Sequence, residues 1–265
     1  MKTLRWIILV AALWSVSVGA EVRMWTGEDG EKFRGEFTRE LLGRIQVRDV
    51  KQTLHLIPIR KLSKSDIKYL QTTICPEVKI QVRQSSRIRP IMEWTIAGDR
   101  TILNTFKVTL NKKSNMDSQA KLTVELYVIG TMVDSDAWVL VERATSKFVF
   151  PEGKKSQYEF VVKDVPCRKY EANWANDGLA DLWRGVEYLG YVAVVLDPQG
   201  EVFAYDTDLG TENWLEIGVP EAVEKLHKLY MEGRGSQFSR IFNVELEKMR
   251  VPQLPWYRRT KNPGS

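Results

Sequence analysis

Histidine and cysteine are scarce in this chain, with two of each among 265 residues. That scarcity excludes several chemistries. A zinc site takes three or four His, Cys or carboxylate ligands, and the dispersed His and Cys do not provide them. A nucleophile activated by histidine needs its base close by, yet His55 and His227 are the only candidates and neither sits beside a nucleophile motif. There is no Gly-x-Ser-x-Gly elbow, no Gly-x-x-x-x-Gly-Lys phosphate loop and no dinucleotide fingerprint. No cofactor and no catalytic set are therefore expected. The chain also lacks any apolar run of the roughly 20 residues that a spanning helix needs. With 43% hydrophobic and 28% charged residues, it has enough apolar content for real cores, and collagen, coiled coil and wholesale disorder are excluded.

What is present begins with an address. Lys2 and Arg5 give a basic start, Trp6 to Trp14 is an uninterrupted apolar stretch, and Val18 and Ala20 occupy the positions a signal peptidase reads. This is the pattern of a secretory signal peptide over residues 1–20. The expectation is an exported chain, periplasmic or extracellular, that begins at Glu21 and carries no transmembrane anchor.

Losing that leader reduces the net charge from +5 to +3. The excess is confined to residues 21–73, with 11 basic and 8 acidic side chains; residues 74–265 hold 26 of each. Binding to a phosphate backbone enlists several clustered cations, so no nucleic-acid partner is expected.

Residues 21–73 read as short strands between turns. Val22 to Thr26 leads into Gly27-Glu28-Asp29-Gly30. Lys32 to Phe37 places Phe33, Gly35 and Phe37 on one face and Lys32, Arg34 and Glu36 on the other. Ile45 and Val47 alternate with polar neighbours, as do Leu54 and Leu56. Ser63 then caps one or two helical turns, with Asp66 three residues on. The motifs Trp25-Thr26, Asp29-Gly30, Phe33-Arg34-Gly35-Glu36-Phe37 and the run from Pro58 through Lys61-Leu62-Ser63 and Asp66 to Tyr69-Leu70 resemble the first homology domain of the Sla-type endocytic adaptors. That domain also occurs at the start of exported proteins in planctomycete and verrucomicrobial bacteria. The resemblance covers about 50 residues and implies an SH3-like barrel. In the adaptors the domain binds short sorting peptides of the Asn-Pro-Phe type; export would separate this chain from such cargo, so the fold transfers better than the ligand. Trp25, Phe33, Phe37 and Tyr69 match the family's aromatic pattern. They read as core and, alternatively, as part of a peptide groove.

From residue 74 to 218 the texture changes. Val78, Ile80 and Val82 alternate with polar residues, as do Phe106, Val108 and Leu110, and Leu122, Val124, Leu126 and Val128. Each is a strand with one wet face. Tyr191 to Leu196 is apolar on both faces and therefore central, and Asp197-Pro198-Gln199-Gly200 turns it back into Glu201 to Tyr205. Seven or eight strands with little helix predict an antiparallel β-sandwich of immunoglobulin-like type. A helix follows over residues 219–234, with Pro220 near its start, Gly233 at its stop and Val223, Leu226, Leu229 and Tyr230 on one face. Residues 235–265 read as a tail, with a mobile end beyond Val251. The fold class expected is mainly β: an N-terminal SH3-like barrel, a C-terminal sandwich and one C-terminal helix.

Three features remain as candidate sites. Cys75 and Cys167, in an exported chain without metal spacing, are the natural disulfide pair; the bond would close a loop of roughly ninety residues and contribute about 4 to 5 kcal/mol in the chain-entropy picture. Asp206, Asp208 and Glu212 echo part of a calcium loop without its later ligands. Trp174 and Trp183, among Asn173, Asn176, Asp177 and Asp181, could form a platform for a sugar or a peptide, or could equally be core of an irregular connection. The function expected is a non-catalytic protein-binding or scaffolding module of the cell envelope that recognises a peptide or protein partner. A carbohydrate-binding β-sandwich protein is the alternative, and a carboxylate-dependent envelope hydrolase a second one.

Overall fold

Two periodicities in the sequence become two separate sheets in a computed structural model. The structure describes residues 22–26, 30–41, 43–89, 100–114, 116–133, 135–153, 156–171, 183–210, 218–233 and 239–249. Residues 1–20, Glu212 and Trp174 lie outside these residues, and the side chain of Trp183 is likewise not described. The chain divides into two compact units, Met1–Lys68 and Tyr69–Ser265. The boundary lies a few residues earlier than the composition change suggests.

In the first unit, β1 (Arg23–Thr26), β2 (Lys32–Leu41), β3 (Arg44–Asp49) and β4 (Leu54–Pro58) form an antiparallel meander in the order β1-β2-β3-β4. The sheet is open among the described residues, where the sequence predicted a barrel. Trp25, Ile45, Val47, Ile57 and Leu62 are buried on one face. Gly35 is required for a close approach: a Cβ there would lie 2.7 Å from the Arg48 carbonyl oxygen and from Val47 Cγ1. A 3-10 turn at Ile59–Lys61 leads into α1 (Lys64–Thr73). Ser63 caps this helix, its Oγ accepting from Asp66 N at 3.1 Å and donating to Asp66 Oδ2 at 2.7 Å. Asp66 in turn accepts from Arg23 Nη2 at 2.6 Å, tying the helix start to β1.

The second unit contains β5 (Val78–Ile88), β6 (Arg100–Lys112), β7 (Leu122–Met132), β8 (Trp138–Phe148), β9 (Gln157–Glu171), β10 (Trp183–Leu196), β11 (Val202–Thr207), α2 (Val219–Glu232) and β12 (Ile241–Phe242). Their pairing order is β12-β8-β7-β10-β9-β6-β5, with β11 added on β10. β10 joins the two halves, pairing β9 over Trp183–Gly185 only and then running beside β7 from Val186 to Leu196. Gly185, at φ 113°, sits at this changeover, where a Cβ would meet the Arg168 carbonyl oxygen.

One apolar core joins β5, β6 and β9 to β7, β8 and β10, through residues such as Ile80, Phe106, Leu110, Val124, Leu126 and Val195. A second lies on the opposite face of β7 and β10, where Tyr127, Ile129, Val192 and Val194 meet Ala222, Val223, Leu226 and Leu229 of α2. The residues of β10 alternate between the two cores, which explains its uninterrupted apolar run. The chain is therefore mainly β, in antiparallel sheets, with α2 packed on one of them.

Two expectations are corrected. Cys75 and Cys167 are free thiols, not a disulfide. Cys167 pairs with Ile102, whereas Val78, three residues after Cys75, pairs with Lys112 at the other end of β6. Ten residues of strand separate those points by roughly 33 Å, and three residues span at most about 10 Å; a disulfide needs Cα atoms within about 7 Å. The residues assigned to a tail also do more than end the chain. Ile241 and Phe242 pair with Val139 and Trp138 of β8, and Phe242 and Leu246 are buried in the second core.

Candidate functional site

Along β5 the side chains on the core face change character. Ile80 is buried, Val82 is half-buried, and the same face continues as Gln84 and Ser86, both exposed. β6 makes the matching change, from Leu110, Val108 and Phe106 to Asn104, Ile102 and Arg100, across a register shift between Asn104 and Phe106. Polar side chains of this kind cannot close an apolar core without partners, and at this end the two halves of the sheet leave a cavity of about 440 Å3. Gln84, Ser86, Arg100, Ile102 and Asn104 line it from one side, and Cys167, Lys169, Val186, Glu187 and Tyr188 from the other.

Its interior is hydrogen-bonded. Asn104, 1% exposed, accepts from Gln84 Nε2 at 2.9 Å and donates to the Val165 carbonyl oxygen and to Cys167 Sγ, each at 3.5 Å. Burial pushes the Cys167 thiol up to about 11, opposed by the Asn104 bond. The sulfur stays protonated at neutral pH and is a poor nucleophile or metal ligand. Lys169 pairs with Glu187 at 2.6 Å. The Tyr188 hydroxyl donates to Asp208 Oδ2 at 2.7 Å, and burial, then this carboxylate, raise its pKa. The cavity thus presents fixed amide and hydroxyl groups around an apolar floor of Ile102 and Val186, a surface suited to holding a side chain or a small polar ligand.

One wall of the cavity is an edge strand. The bonds Lys113 N to Glu77 O and Arg89 N to Thr101 O set the ladder phase between β5 and β6. Odd-numbered residues of β5 exchange bonds with β6, so the N–H and C=O groups of Val82, Gln84, Ser86 and Ile88 point to the other edge. No strand pairs with that edge among the described residues, and every residue from Arg83 to Ile88 is exposed. The even-numbered side chains face the cavity side.

The residues singled out from the sequence are distributed differently. Trp25 is fully buried and its indole N–H donates to the Gly35 carbonyl oxygen at 2.9 Å, so it is core. Phe33 is half-buried and stacks on His55 at 4.2 Å; Phe37 is half-buried on the same strand, and Tyr69 is half-buried on α1 in the second unit. Asp206 and Asp208 are engaged by tyrosines: Tyr191 donates to Asp206 Oδ2 at 2.8 Å, and Asp208 Oδ1 accepts from Tyr191 N at 2.6 Å. No group of three metal-ligating side chains occurs among the described residues. Trp174 falls between β9 and β10 in the sequence and lies outside the described residues. Sequence reasoning missed Gln84, Ser86, Arg100 and Asn104. The signal was the loss of apolar residues along one face of a strand that continued.

No family model and no curated protein matches the chain. A solved structure described as the X-ray structure of Northeast Structural Genomics Consortium target SoR45 aligns at 12% identity with a TM-score of 0.23, covering 50% of this chain and 88% of that one. Likeness at that level carries no argument about fold or function.

Proposed function

We propose that the chain is an exported, non-catalytic binding module of the cell envelope, and that it recognises a peptide or protein partner by adding the partner's strand to β5. The observation that carries this reading is the free edge of β5 beside the cavity. Main-chain bonds to Gln84 and Ser86 would give affinity, and alternate side chains of the partner would enter the cavity and give specificity. The architecture we assign is an SH3-like unit followed by an immunoglobulin-like one. Meander order, short strands and the 3-10 turn after β4 support the first, together with the motifs shared with the Sla homology domain. Pairing order supports the second: labelled A to G along the chain, β5 to β11 give A-B-E and D-C-F-G, the immunoglobulin arrangement with its fourth strand moved to the other sheet. Export rests on the leader pattern in residues 1–20.

A second reading, carbohydrate binding, is supported by the density of Trp174 and Trp183 among Asn173, Asn176, Asp177 and Asp181 in the sequence. Screening the chain from Glu21 to Ser265 against peptides of about ten residues, long enough to span β5, and against a glycan array separates the two. Ser86→Pro removes one outward N–H and leaves the bonds to β6 intact, a change edge strands tolerate. We expect selected peptides to lose at least tenfold in affinity in this variant. Peptide binding indifferent to Ser86→Pro, or glycan binding lost in Trp174→Ala, would overturn strand addition.

A further inference from the structure

The open sheet of the first unit has a second face, opposite the one that buries Trp25. Alternation and register place Lys32, Arg34 and Arg39 of β2 on it, with Arg44 and Arg48 of β3. All five are exposed. Glu36, across from Arg48, is the one acid that the strands contribute to this face. The other strand acids point the opposite way: Asp49 accepts from His55 and from the turn amides, and Glu40 shares its register with buried Ile45. Lys32, Arg34, Arg44 and Arg48 form no ion pair among the described residues, and Arg39 donates to the neutral Gln46.

Apolar side chains flank these cations on both sides. Met24 on β1 lies across from Arg34, and Leu54 and Leu56 on β4 lie across from Arg48 and Gln46. They are 47–50% exposed, and Leu41 at the end of β2 is 44% exposed. Large exposed apolar residues grouped in this way mark a contact surface. The net charge of the mature chain also belongs to this unit, since the rest is balanced.

We propose that this face docks the chain on an anionic lipid surface. The choice of partner follows from the layout. The cations spread over two strands and the apolar residues over the two beyond them, a width of roughly 14 Å at the usual strand spacing. A planar surface meets all of them at once. Arginine forks suit lipid phosphates, and the flanking Met and Leu side chains reach the acyl boundary, as in interfacial anchors. A nucleic-acid backbone would leave those apolar groups without a partner. Docking here is independent of strand addition at β5, which lies in the other unit.

The test is co-sedimentation of the Glu21–Ser265 chain with vesicles of phosphatidylcholine alone or with about one-third phosphatidylglycerol. Leaving out the leader removes an apolar segment that would bind lipid by itself. We expect at least tenfold preference for the anionic vesicles, lost at high salt. Each Arg→Ala at 34 or 48 should weaken partition about fivefold, the effect of one basic residue near such a surface. Arg34→Lys with Arg48→Lys should retain most of the binding, and Glu36→Gln should strengthen it, a gain that misfolding cannot imitate. Arg83→Ala with Arg87→Ala, a charge loss in the other unit twice that of either single variant, should change nothing. Equal partition to both vesicles, equal loss in the Arg83/Arg87 variant, or tighter binding to heparin than to the vesicles would overturn the proposal.

Discussion

The two units of this chain solve the same problem with different means. The larger unit contains a sheet buried on both faces: Ala193 and Val195 enter one core while Val192 and Val194 enter the other. Its stability comes from area, at about 25 cal/mol per Å2 of apolar surface removed from water. The smaller unit buries one face of four short strands. Small units bury too little surface to rely on area alone, and here polar ties bind the elements together: Arg23 to Asp66, Asp66 to Ser63, Trp25 to the Gly35 carbonyl, and His55 to Asp49. Hydrophobic truncation should therefore injure the first unit little by little and the second core severely, while deletion of a single hydrogen bond should matter most in the small sheet.

The largest effect is expected at Leu226. This side chain of α2 is fully buried in the core it shares with residues of β7, β8 and β10. Leu226→Ala should cost about 3 kcal/mol, from lost transfer energy plus the cavity left behind. Hydrogen exchange should show the loss in β7, β10 and α2. A cost below about 1 kcal/mol, the range of surface substitutions, would mean that α2 is an ornament on the sheet rather than the cover of its second core.

The next effect isolates a polar tie. Trp25→Phe keeps an aromatic ring in the small core but removes the donor to the Gly35 carbonyl. An orphaned buried acceptor costs about 1 to 3 kcal/mol, and the loss should be seen in exchange protection of β1 to β4. If Trp25→Phe proved neutral while an apolar truncation at Ile45 were severe, the small sheet would be an area-stabilised unit like the large one, and the contrast would fail.

This contrast was only half legible in the sequence. Alternation of Val78, Ile80 and Val82, and the two-faced run from Tyr191 to Leu196, announced a strand with one wet face and a central strand, because burial acts on each residue by its parity. The helix at 219–234 was legible through its apolar stripe for the same reason. What pattern could not supply was distance. Cys75 and Cys167 made a plausible pair by compartment and number, but their separation is set by which rungs of β6 each neighbours, and register between distant strands leaves no local trace. The cavity was hidden similarly: Gln84 and Ser86 look like an ordinary wet strand until β6 pairs beside them, placing Asn104 across from Ser86 and within hydrogen-bond reach of Gln84. Trp25 read as core with a groove as the alternative, and its indole, bonded to the Gly35 carbonyl, lies inside.

The smallest expected effect tests the outermost polar tie. Asp49 Oδ1 accepts from the Lys51 and Thr53 amides, each at 2.8 Å, and its Oδ2 meets His55 Nε2 at 3.0 Å. The His55 bond, aided by those amides, holds the carboxyl below the ordinary carboxylate value. A carboxylate with a depressed folded-state pKa stabilises the protein above its unfolded pKa, and that contribution disappears as pH falls through the folded value. The window is therefore at and below about pH 4. Asp49→Asn keeps an acceptor for the turn amides and removes the charge, so the variant should be slightly less stable than wild type at pH 6 and equal to it in strong acid. Denaturant midpoints across that range, read from the small sheet, give the answer. A variant that lost equally at every pH would show that the tie holds through turn geometry alone, with the charge on Asp49 contributing nothing.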